Sequence, residues 1–371
     1  MHIIFEKDIL NKALITLSKT AQNKVSNNLP GIIYLTTKNG FVELQANSFD
    51  IGMIVNIPAT IHEEGKILVD AKYFHDIVRN MPEQEIVLEM ASTSKTLTIH
   101  SGKAEYQLLN MQEDQFRVVE RFNAANNSIQ LDTLDFKNLI ELTLYAVADD
   151  DNRPIFTGAL MEMKDKEIRM VGTDTHRLAL KTLELPEHTP LRLSAVIPKK
   201  TLSEILRLIP VENPNIIHIT WTSGKIAFEF ENTYLVSQLV DGVFPDYERI
   251  IPNQFVTSAS IQRKELTSAI NRVSLFSKDA SYNAIKFNWE ESSVKLSSQN
   301  IDVGMAKEEV PCDLSGDGIE ISFNGKYITD VLKHGEEEKG HFYFSDRGPI
   351  VIRLDGVPNY TYVVTPIRSM P

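Results

Sequence analysis

The chain has 371 residues, of which 42% are hydrophobic and 24% are charged, and its net charge is -12. This length allows two or three domains, and the composition excludes a largely disordered chain. The single cysteine, Cys312, excludes an intramolecular disulfide and a cysteine-based metal site. Residues 1–10 lack the features of a signal peptide, and no run approaches 18 apolar residues. We therefore expect a cytoplasmic protein that has no membrane partner.

Three segments of the chain repeat one amphipathic helical pattern. They begin at Glu6, Asp132 and Gln262, and each follows a short stretch rich in β-forming residues. In each segment, apolar residues recur at i, i+3 and i+4, which is the spacing of one buried helix face. The matching core positions are Leu10, Phe136 and Leu266; Ala13, Leu139 and Ala269; and Leu14, Ile140 and Ile270.

A second family of three helical segments begins at Ile67, Ala195 and Glu320. Its apolar positions match, and its basic positions match as well. Since two basic positions of each segment are seven residues apart, nearly two helical turns, both lie on one helical face. These six basic residues are Lys72, Arg79, Lys200, Arg207, Lys326 and Lys333.

Between the helical segments lie stretches that alternate apolar and polar residues and end at turn signals, as antiparallel strands do. The sequence therefore predicts an α+β fold with three repeated domains, each with two helices packed on antiparallel sheets. The predicted bounds are 1–125, 126–252 and 253–371. The joints fall near Asn123 and Pro252, in polar or proline-containing stretches.

The helical segments are basic relative to the acidic remainder of the chain, apart from the segment at Asp132. One basic helix alone is ordinary, because exposed helix faces often carry lysine. Basic residues at equivalent sites in all three copies instead indicate a shared face that meets a polyanion through phosphate contacts, without reading base sequence.

The stretch "GTDTHRLAL" from Gly172 has the look of a catalytic loop. In the sister copies, however, Asp50 and Asp302 replace His176, and Ile51 and Val303 replace Arg177. The chain also lacks the nucleophile-elbow, metalloprotease and phosphate-loop signatures. A non-enzyme without cofactor or metal is therefore favoured. A hydrolase using Asp174, His176 and Arg177 remains one alternative, and a repeat scaffold that never meets DNA remains another.

A binding groove explains the specialised middle copy better than catalysis does. The stretches "GALMEM", "GTDTHRLAL" and "VDGVFPDYERIIP" combine apolar, aromatic and proline residues, with arginine side chains expected at a polar edge. A short peptide with apolar anchors would fit such a groove.

The three repeats, "GTDTHRLAL", "LVDGVFPDYERIIP" and the ending "YVVTPIRSMP" together resemble the bacterial sliding clamp family, the β subunit of DNA polymerase III. The resemblance covers the whole chain and implies a head-to-tail homodimer that forms a ring of six domains. Duplex DNA would be encircled without sequence preference. The ring would tether the replicative polymerase, the clamp loader and repair proteins through short linear motifs, with no catalysis of its own.

The resemblance also implies two sets of site residues. The ring joint would pair Tyr106 and Leu108 with Leu275 and Phe276. The groove that binds linear motifs would be lined by Phe156, Thr173, Thr175, His176, Arg177, Leu178, Pro245, Arg249, Ile250, Val363, Val364, Pro366, Ile367 and Arg368.

Three residues depart from the family pattern in this groove. Thr175 stands where the family usually has glycine, which narrows the groove and restricts the backbone. Thr365 and Ile367 replace the usual methionines around Pro366, and methionine is an adaptable surface for varied peptides. An altered peptide preference is therefore expected.

Overall fold

The six amphipathic segments found in the sequence form the α-helices of the structure. In the first helix, Leu10, Leu14 and Leu17 are completely buried, as the i, i+4, i+7 spacing predicts. Among the described residues the helices are α1 Lys7–Ala21, α2 Ala71–Asn80, α3 Thr133–Glu141, α4 Lys199–Leu208, α5 Arg263–Val273 and α6 Gly325–Leu332. The computed structural model describes residues 1–21, 31–91, 94–112, 114, 116–122, 124, 127–149, 153–209, 215–277, 283–300, 302–335, 337–346 and 348–367.

Side-chain caps fix the start of the second-family helices where the sequence changes from strand to helix. Asp70 precedes α2 and accepts a hydrogen bond from the backbone N–H of Tyr73 at 2.9 Å. Asn324 precedes α6 and accepts one from the N–H of Lys326 at 2.9 Å. Both caps satisfy donors that the first helical turn leaves without a partner.

The strands follow the alternating stretches of the sequence. The first nine are β1 His2–Glu6, β2 Ile32–Lys38, β3 Phe41–Asn47, β4 Ile51–Ile57, β5 Thr60–Glu63, β6 Lys66–Asp70, β7 Glu85–Glu89, β8 Thr96–Ser101 and β9 Ala104–Leu109. The next eight are β10 Ser128–Asp132, β11 Gly158–Lys164, β12 Glu167–Thr173, β13 Arg177–Glu184, β14 Leu193–Pro198, β15 Ile216–Trp221, β16 Lys225–Phe230 and β17 Thr233–Gln238. The last eight are β18 Thr257–Gln262, β19 Ala284–Trp289, β20 Ser293–Asn300, β21 Gly304–Ser315, β22 Ile319–Asn324, β23 Lys339–Phe344, β24 Ile350–Leu354 and β25 Tyr360–Val364.

The described strands form three sheets, and their pairings are antiparallel. The first sheet has the order β5-β1-β7-β8-β9, and the second has the order β10-β15-β16-β17-β4-β3-β2-β6. The third has the order β14-β11-β12-β13-β25-β24-β23-β18-β21-β20-β19-β22. Helices combined with antiparallel sheets confirm the predicted α+β class.

By the density of internal contacts, the chain divides into two compact units. One comprises Met1–Leu134 with Arg207–Leu239, and the other comprises Asp135–Leu206 with Val240–Pro371. This division cuts the predicted middle domain, because β15 to β17 join the sheet of the first unit. The three-domain bounds therefore remain a prediction, and the joint predicted near Asn123 lies outside the described residues.

Two edge junctions, one in each unit, share the same register. In the first unit, β4 pairs with β17 and places Ile51 opposite Ser237. In the second unit, β13 pairs with β25 and places Arg177 opposite Val364. Ile51 and Arg177 are sister positions of the sequence repeat, and Ser237 and Val364 are each the fifth residue of their strand. The repeat in the sequence is therefore also a repeat in strand pairing.

Two further strands correspond to those of the junctions by the sequence repeat, but each has an edge without a strand partner among the described residues. Strand β9 ends the five-stranded sheet. Strand β21 pairs with β18 only from Cys312 onward. From Gly304 to Pro311, one edge of β21 pairs with β20. The opposite edge has no strand partner among the described residues. Such edges offer unpaired backbone groups to another strand.

Candidate functional site

Residues 173–177 form the tight turn between β12 and β13. The Thr173 hydroxyl donates to the carbonyl of Arg177 at 2.6 Å and accepts from the N–H of Thr175 at 3.1 Å. One oxygen of Asp174 accepts the N–H groups of His176 and Arg177, each at 3.0 Å. The side chains of Thr173 and Asp174 therefore stabilise the turn itself.

Thr175 occupies the apex of this turn with a positive φ of 76°. A β-branched residue rarely adopts the left-handed region, and the strain amounts to roughly 1–3 kcal/mol. The hydrogen bonds from Thr173 and Asp174 hold the backbone there. Glycine would reach this region without strain, so threonine restricts the backbone here, as the family resemblance led us to expect.

Arg177 is buried, with only 8% of its side chain exposed. Its Nε donates to Asp174 Oδ2 at 2.9 Å, and its Nη1 donates to Asp330 Oδ2 at 2.8 Å. The guanidinium also lies over the ring of Tyr327, 4.4 Å from its centroid. The expectation that Arg177 forms a polar edge of the groove is wrong for its side chain, because two carboxylates hold it inside.

The C-terminal strand lies beside the turn and supplies the floor of the site. Leu178 pairs with Val363, and both side chains are 1–2% exposed. Beyond β25, the N–H and the hydroxyl of Thr365 each donate to the carbonyl of His176 at 2.9 Å. Pro366 and Ile367 continue this segment as half-buried residues, whereas Arg368 lies outside the described residues.

The linker after β17 packs over the same floor. Tyr247 is buried in one apolar cluster with Leu178 and Val363, and Phe244 packs against that cluster. The Tyr247 hydroxyl donates to Glu162 at 2.8 Å, and burial raises its pKa to about 12. Phe244 meets Phe156 edge to face, with ring centroids 6.0 Å apart. This linker is held by its own side chains.

Several apolar and polar side chains of the linker remain exposed above this floor. Val243 is 91% exposed and Ile250 is 46% exposed, and Pro245 is exposed between them. Arg249 is 85% exposed and pairs with Asp246 at 2.7 Å. His176 is exposed and lies 6.5 Å from the Tyr327 ring. The second unit therefore has a buried apolar cluster beneath the linker, with exposed apolar and polar side chains around it.

This geometry does not match a catalytic triad. One oxygen of Asp174 accepts backbone N–H groups and the other accepts Arg177, so the carboxylate is committed to the turn rather than to orienting a base. Among the described residues, no cluster of three or more His, Cys, Asp or Glu side chains could hold a metal ion. In the same part of the chain, no helix combines the length and apolar character that crossing a bilayer requires.

The repeated basic residues lie on helices α2, α4 and α6, apart from Lys333, which directly follows α6. Lys72, Arg79 and Lys200 are exposed, and Arg207 is half-buried and donates to the carbonyl of Thr16 at 2.8 Å. Lys326 and Lys333 are exposed at 65% and 62%, and both contact Asp330. Sequence reasoning missed Asp330, although an acid recurs at the same helix position as Asp76 and Glu204.

The residues predicted for a ring joint lie at exposed elements of their units. Tyr106 on the edge strand β9 is 46% exposed, Leu108 is half-buried, and Leu109, which the sequence did not single out, is 75% exposed. Leu275 is 65% exposed in the short 3₁₀ helix Ser274–Phe276, where Phe276 is half-buried.

Comparison with known proteins accounts for the whole chain. Three family models of the DNA polymerase III beta subunit match this chain. The N-terminal domain matches residues 1–120, the central domain residues 130–246 and the C-terminal domain residues 248–368. The beta sliding clamp of Staphylococcus aureus strain Mu50 is 30% identical over 347 residues, which is 91% of each chain. This chain belongs to the DNA polymerase III beta subunit family.

Solved structures of the family share the fold over its full length. The sliding clamp of Bacillus subtilis is 27% identical, covers 100% of both chains and has a TM-score of 0.93. The clamp of Bartonella birtlesii, solved bound to griselimycin, is 28% identical at the same coverage and TM-score. The chain is accordingly a DNA sliding clamp, a processivity factor of DNA polymerase III that is not itself catalytic.

Proposed function

We propose that two copies of this chain close a cytoplasmic ring around duplex DNA and hold partner proteins by peptides in the groove of the second unit. The observation that carries the proposal is the repeated edge junction. One chain contains this junction twice and also has the two edges from which a third could form. A head-to-tail contact between two copies joins those edges twice and closes the assembly.

The repeat gives the register of the joint between subunits. Strands β9, β17 and β25 begin at Ala104, Thr233 and Tyr360, so their fifth residues are Leu108, Ser237 and Val364. Ser237 and Val364 lie opposite sister positions whose third member is Val303. Val303 therefore pairs with Leu108 of the partner subunit.

Side-chain packing at the internal junction supports the same joint. Tyr145 is the central residue of the 3₁₀ helix Leu144–Ala146 and stacks on Tyr362, with ring centroids 5.9 Å apart. Leu275 holds the same place in its own 3₁₀ helix, and Tyr106 is the third residue of β9, as Tyr362 is of β25. Leu275 therefore covers Tyr106 of the partner subunit, which removes two exposed apolar side chains from water.

DNA lies against α2, α4 and α6 in this proposal. Lys72, Arg79, Lys200, Arg207, Lys326 and Lys333 neutralise phosphates without reading bases, so the ring slides while remaining around the duplex. The net charge of -12 keeps the rest of the surface unattractive to DNA. The domains are 1–125, 126–252 and 253–371.

The groove binds short linear motifs of the replicative polymerase, the clamp loader and repair proteins. Of the predicted set, the exposed His176, Pro245, Arg249 and Ile250 are the side chains that the peptide meets first, and its apolar anchors pack against Ile250 above the buried Leu178 and Val363. Thr175 narrows the turn at one end of the groove. The relative from Bartonella birtlesii binds griselimycin, and we expect that compound to compete with the peptide for this groove.

Cysteine cross-linking tests ring closure at the level of register. With Cys312→Ser as background, Leu108→Cys combined with Val303→Cys should form a disulfide-linked dimer on mild oxidation. Opposite residues of paired strands have Cβ atoms about 5 Å apart. The matched control, Leu108→Cys with Lys307→Cys, displaces the second thiol by four residues and should remain monomeric on a non-reducing gel. Equal yields from both pairs would refute the proposed register.

Retention on DNA tests the topological function. After cross-linking, the loaded ring should remain on a nicked circular plasmid in high salt and should leave the same plasmid once it is linearised. Dissociation from both DNAs at one rate would show that the ring does not encircle the duplex.

The groove is tested with a fluorescein-labelled decapeptide that has a Leu-Phe pair as its apolar anchors. Ile250→Asp should weaken its binding at least tenfold, because the charge would lie against the apolar anchors. Val118→Asp is the control, since Val118 is similarly exposed, at 50%, on the first linker. Equal losses in both variants would contradict binding in this groove.

A further inference from the structure

Asp330 on α6 is a buried carboxylate that three cations share. Its side chain is 9% exposed. Oδ2 accepts from Lys326 Nζ at 2.6 Å and from Arg177 Nη1 at 2.8 Å, and Oδ1 lies 3.3 Å from Lys333 Nζ. Burial opposes ionisation of Asp330, but the hydrogen bonds from Lys326 and Arg177 outweigh it and lower the pKa. The carboxylate is therefore charged and fully engaged at neutral pH.

The first two of these cations belong to different surfaces. Lys326 lies on the helix face proposed to meet DNA, as does Lys333. Arg177 belongs to the turn of the groove, where Asp174 joins its Nε to the backbone N–H groups of His176 and Arg177. One oxygen atom of Asp330 thus links the two surfaces through only two side chains.

This link exists in one copy of the repeat only. Acids recur at the sister helix positions Asp76 and Glu204, but the sister positions of Arg177 are Ile51 and Val303, which cannot form an ion pair. Asp76 is also 44% exposed, and its contact with Arg79 at 3.4 Å is a surface pair. The junction at which we propose the groove therefore also has the buried link.

We propose that Asp330 couples phosphate binding at Lys326 and Lys333 to peptide binding in the groove. The coupling rests on the proposed function, in which these lysines face DNA. A phosphate that draws the two ammonium groups outward leaves Oδ2 of Asp330 to Arg177 alone.

The stronger pair between Arg177 and Asp330 then holds the turn at residues 174–177 more firmly. A turn that is already ordered loses less conformational freedom when a peptide binds, so the peptide binds more tightly to the DNA-bound protein. Because coupling between two ligands is reciprocal, bound peptide also tightens the hold on DNA by the same factor. Partners would thereby favour protein that already surrounds a duplex.

The primary measurement is the dissociation constant of the labelled decapeptide for the full-length dimer, by fluorescence anisotropy. It is taken without DNA and with a saturating 20-base-pair duplex, whose occupancy is followed with a second label at low salt. For the wild type, the duplex should tighten peptide binding roughly fivefold, at the lower end of the usual range for coupled sites. A ratio of 1 with both ligands bound would overturn the proposal.

The double variant Lys326→Gln with Lys333→Gln separates coupling from simple proximity. Both side chains are exposed, so the fold should be retained. Because neither glutamine forms an ion pair with Asp330, the peptide should bind the DNA-free variant as tightly as it binds the DNA-bound wild type. A saturating duplex should then change nothing further. Peptide binding as weak as in the DNA-free wild type would contradict the mechanism.

The matched control is Lys72→Gln with Arg79→Gln on α2, at the sister positions. It should weaken duplex binding to a similar degree but leave peptide affinity without DNA unchanged, and the fivefold ratio should persist once the duplex saturates. If the control changed peptide affinity as the α6 variant does, the effect would come from the loss of positive charge in general, and the role of Asp330 would be overturned. If the wild type fails to bind either ligand, the proposed function itself is wrong, and the coupling is wrong with it.

Discussion

The strand end at residues 45–52 and its sister at 171–178 have the same backbone pairing but opposite relations to the linker that follows. In the first unit, Gln45 Oε1 accepts the N–H of Val119 at 2.8 Å, and the Asn47 amide donates to the carbonyl of Arg117. The sister of Gln45 is Val171, whose side chain can accept no hydrogen bond. The sister of Asn47 is Thr173, whose hydroxyl forms its hydrogen bonds within its own turn. The first strand end holds its linker with side-chain hydrogen bonds, whereas the second meets its linker through apolar contacts with Tyr247.

The floor of each junction shows the same contrast. A Cβ atom on Gly52 would lie 2.8 Å from Val119 Cγ1, so the linker fills the space that a side chain would need. At the sister position, Leu178 fills that space itself, and Ile250 of the second linker stays 46% exposed. At the first junction a glycine makes room for Val119 of the linker, whereas at the second Leu178 packs under Tyr247 of the linker. The two junctions share their backbone pairing and differ in the side chains that pack between strand end and linker.

Converting Arg177 to the residue of its sister should have the largest effect. Arg177→Ile leaves the buried carboxylate of Asp330 without its guanidinium, and breaking such a pair costs about 3–5 kcal/mol in the free energy of unfolding. Urea unfolding measures this loss. The surface pair between Arg79 and Asp76 is the control, and Arg79→Ala should cost at most about 1 kcal/mol. Equal losses would mean that the buried link is no stronger than a surface one.

Converting Gly52 to leucine should open the first junction. The new side chain meets Val119 and Val236, and such overpacking costs about 1–3 kcal/mol. Val119 should leave its site, so its amide should exchange with solvent faster in hydrogen-exchange mass spectrometry. Unchanged protection of Val119 would show that another contact holds the linker closed.

Gln45→Val, which reproduces Val171, should have a smaller effect. The buried N–H of Val119 would lose its acceptor, at a cost of about 1 kcal/mol, because Val119 lies near enough to the surface for partial hydration. Differential scanning calorimetry measures the shift. The reverse replacement, Val171→Gln, places an amide without a partner in a buried site and should be more harmful than Gln45→Val.

The smallest effect concerns pH. His334 stacks on Tyr145, and burial together with Lys333 lowers its pKa below the ordinary 6.5, although Asp330 opposes the shift. Its neutral form therefore contributes stability above pH 6.5, which is lost as the pH falls through the folded-state pKa. As the pH falls below 6.5, the wild type should lose more unfolding free energy than His334→Phe. Parallel curves for the two proteins would contradict this.

Much of the fold could be predicted from the sequence because its signals are local. Apolar spacing located the six helices, and alternation with turn residues located many of the strands. A catalytic role for Asp174, His176 and Arg177 could also be rejected from the sequence, because the sister copies lack the histidine and the arginine.

What the sequence could not predict depends on contacts between distant residues. The pair of Arg177 with Asp330 spans 153 positions, and in the sequence Asp330 is one acid among basic helix residues. The closure of the first junction needs Gly52 and Val119 side by side, and neither is unusual by itself. Thr175 was singled out by the resemblance as a residue that restricts the backbone, but its positive φ is seen only in the structure.

The proposed function requires one peptide groove in each chain, at the second junction. Hydrogen-exchange mass spectrometry of the full-length dimer, with and without saturating labelled decapeptide, tests it directly. We predict new protection confined to residues 173–178, 244–250 and 360–367, with no change at 45–52 and 116–122. Protection at both junctions, or at the first alone, would contradict the account.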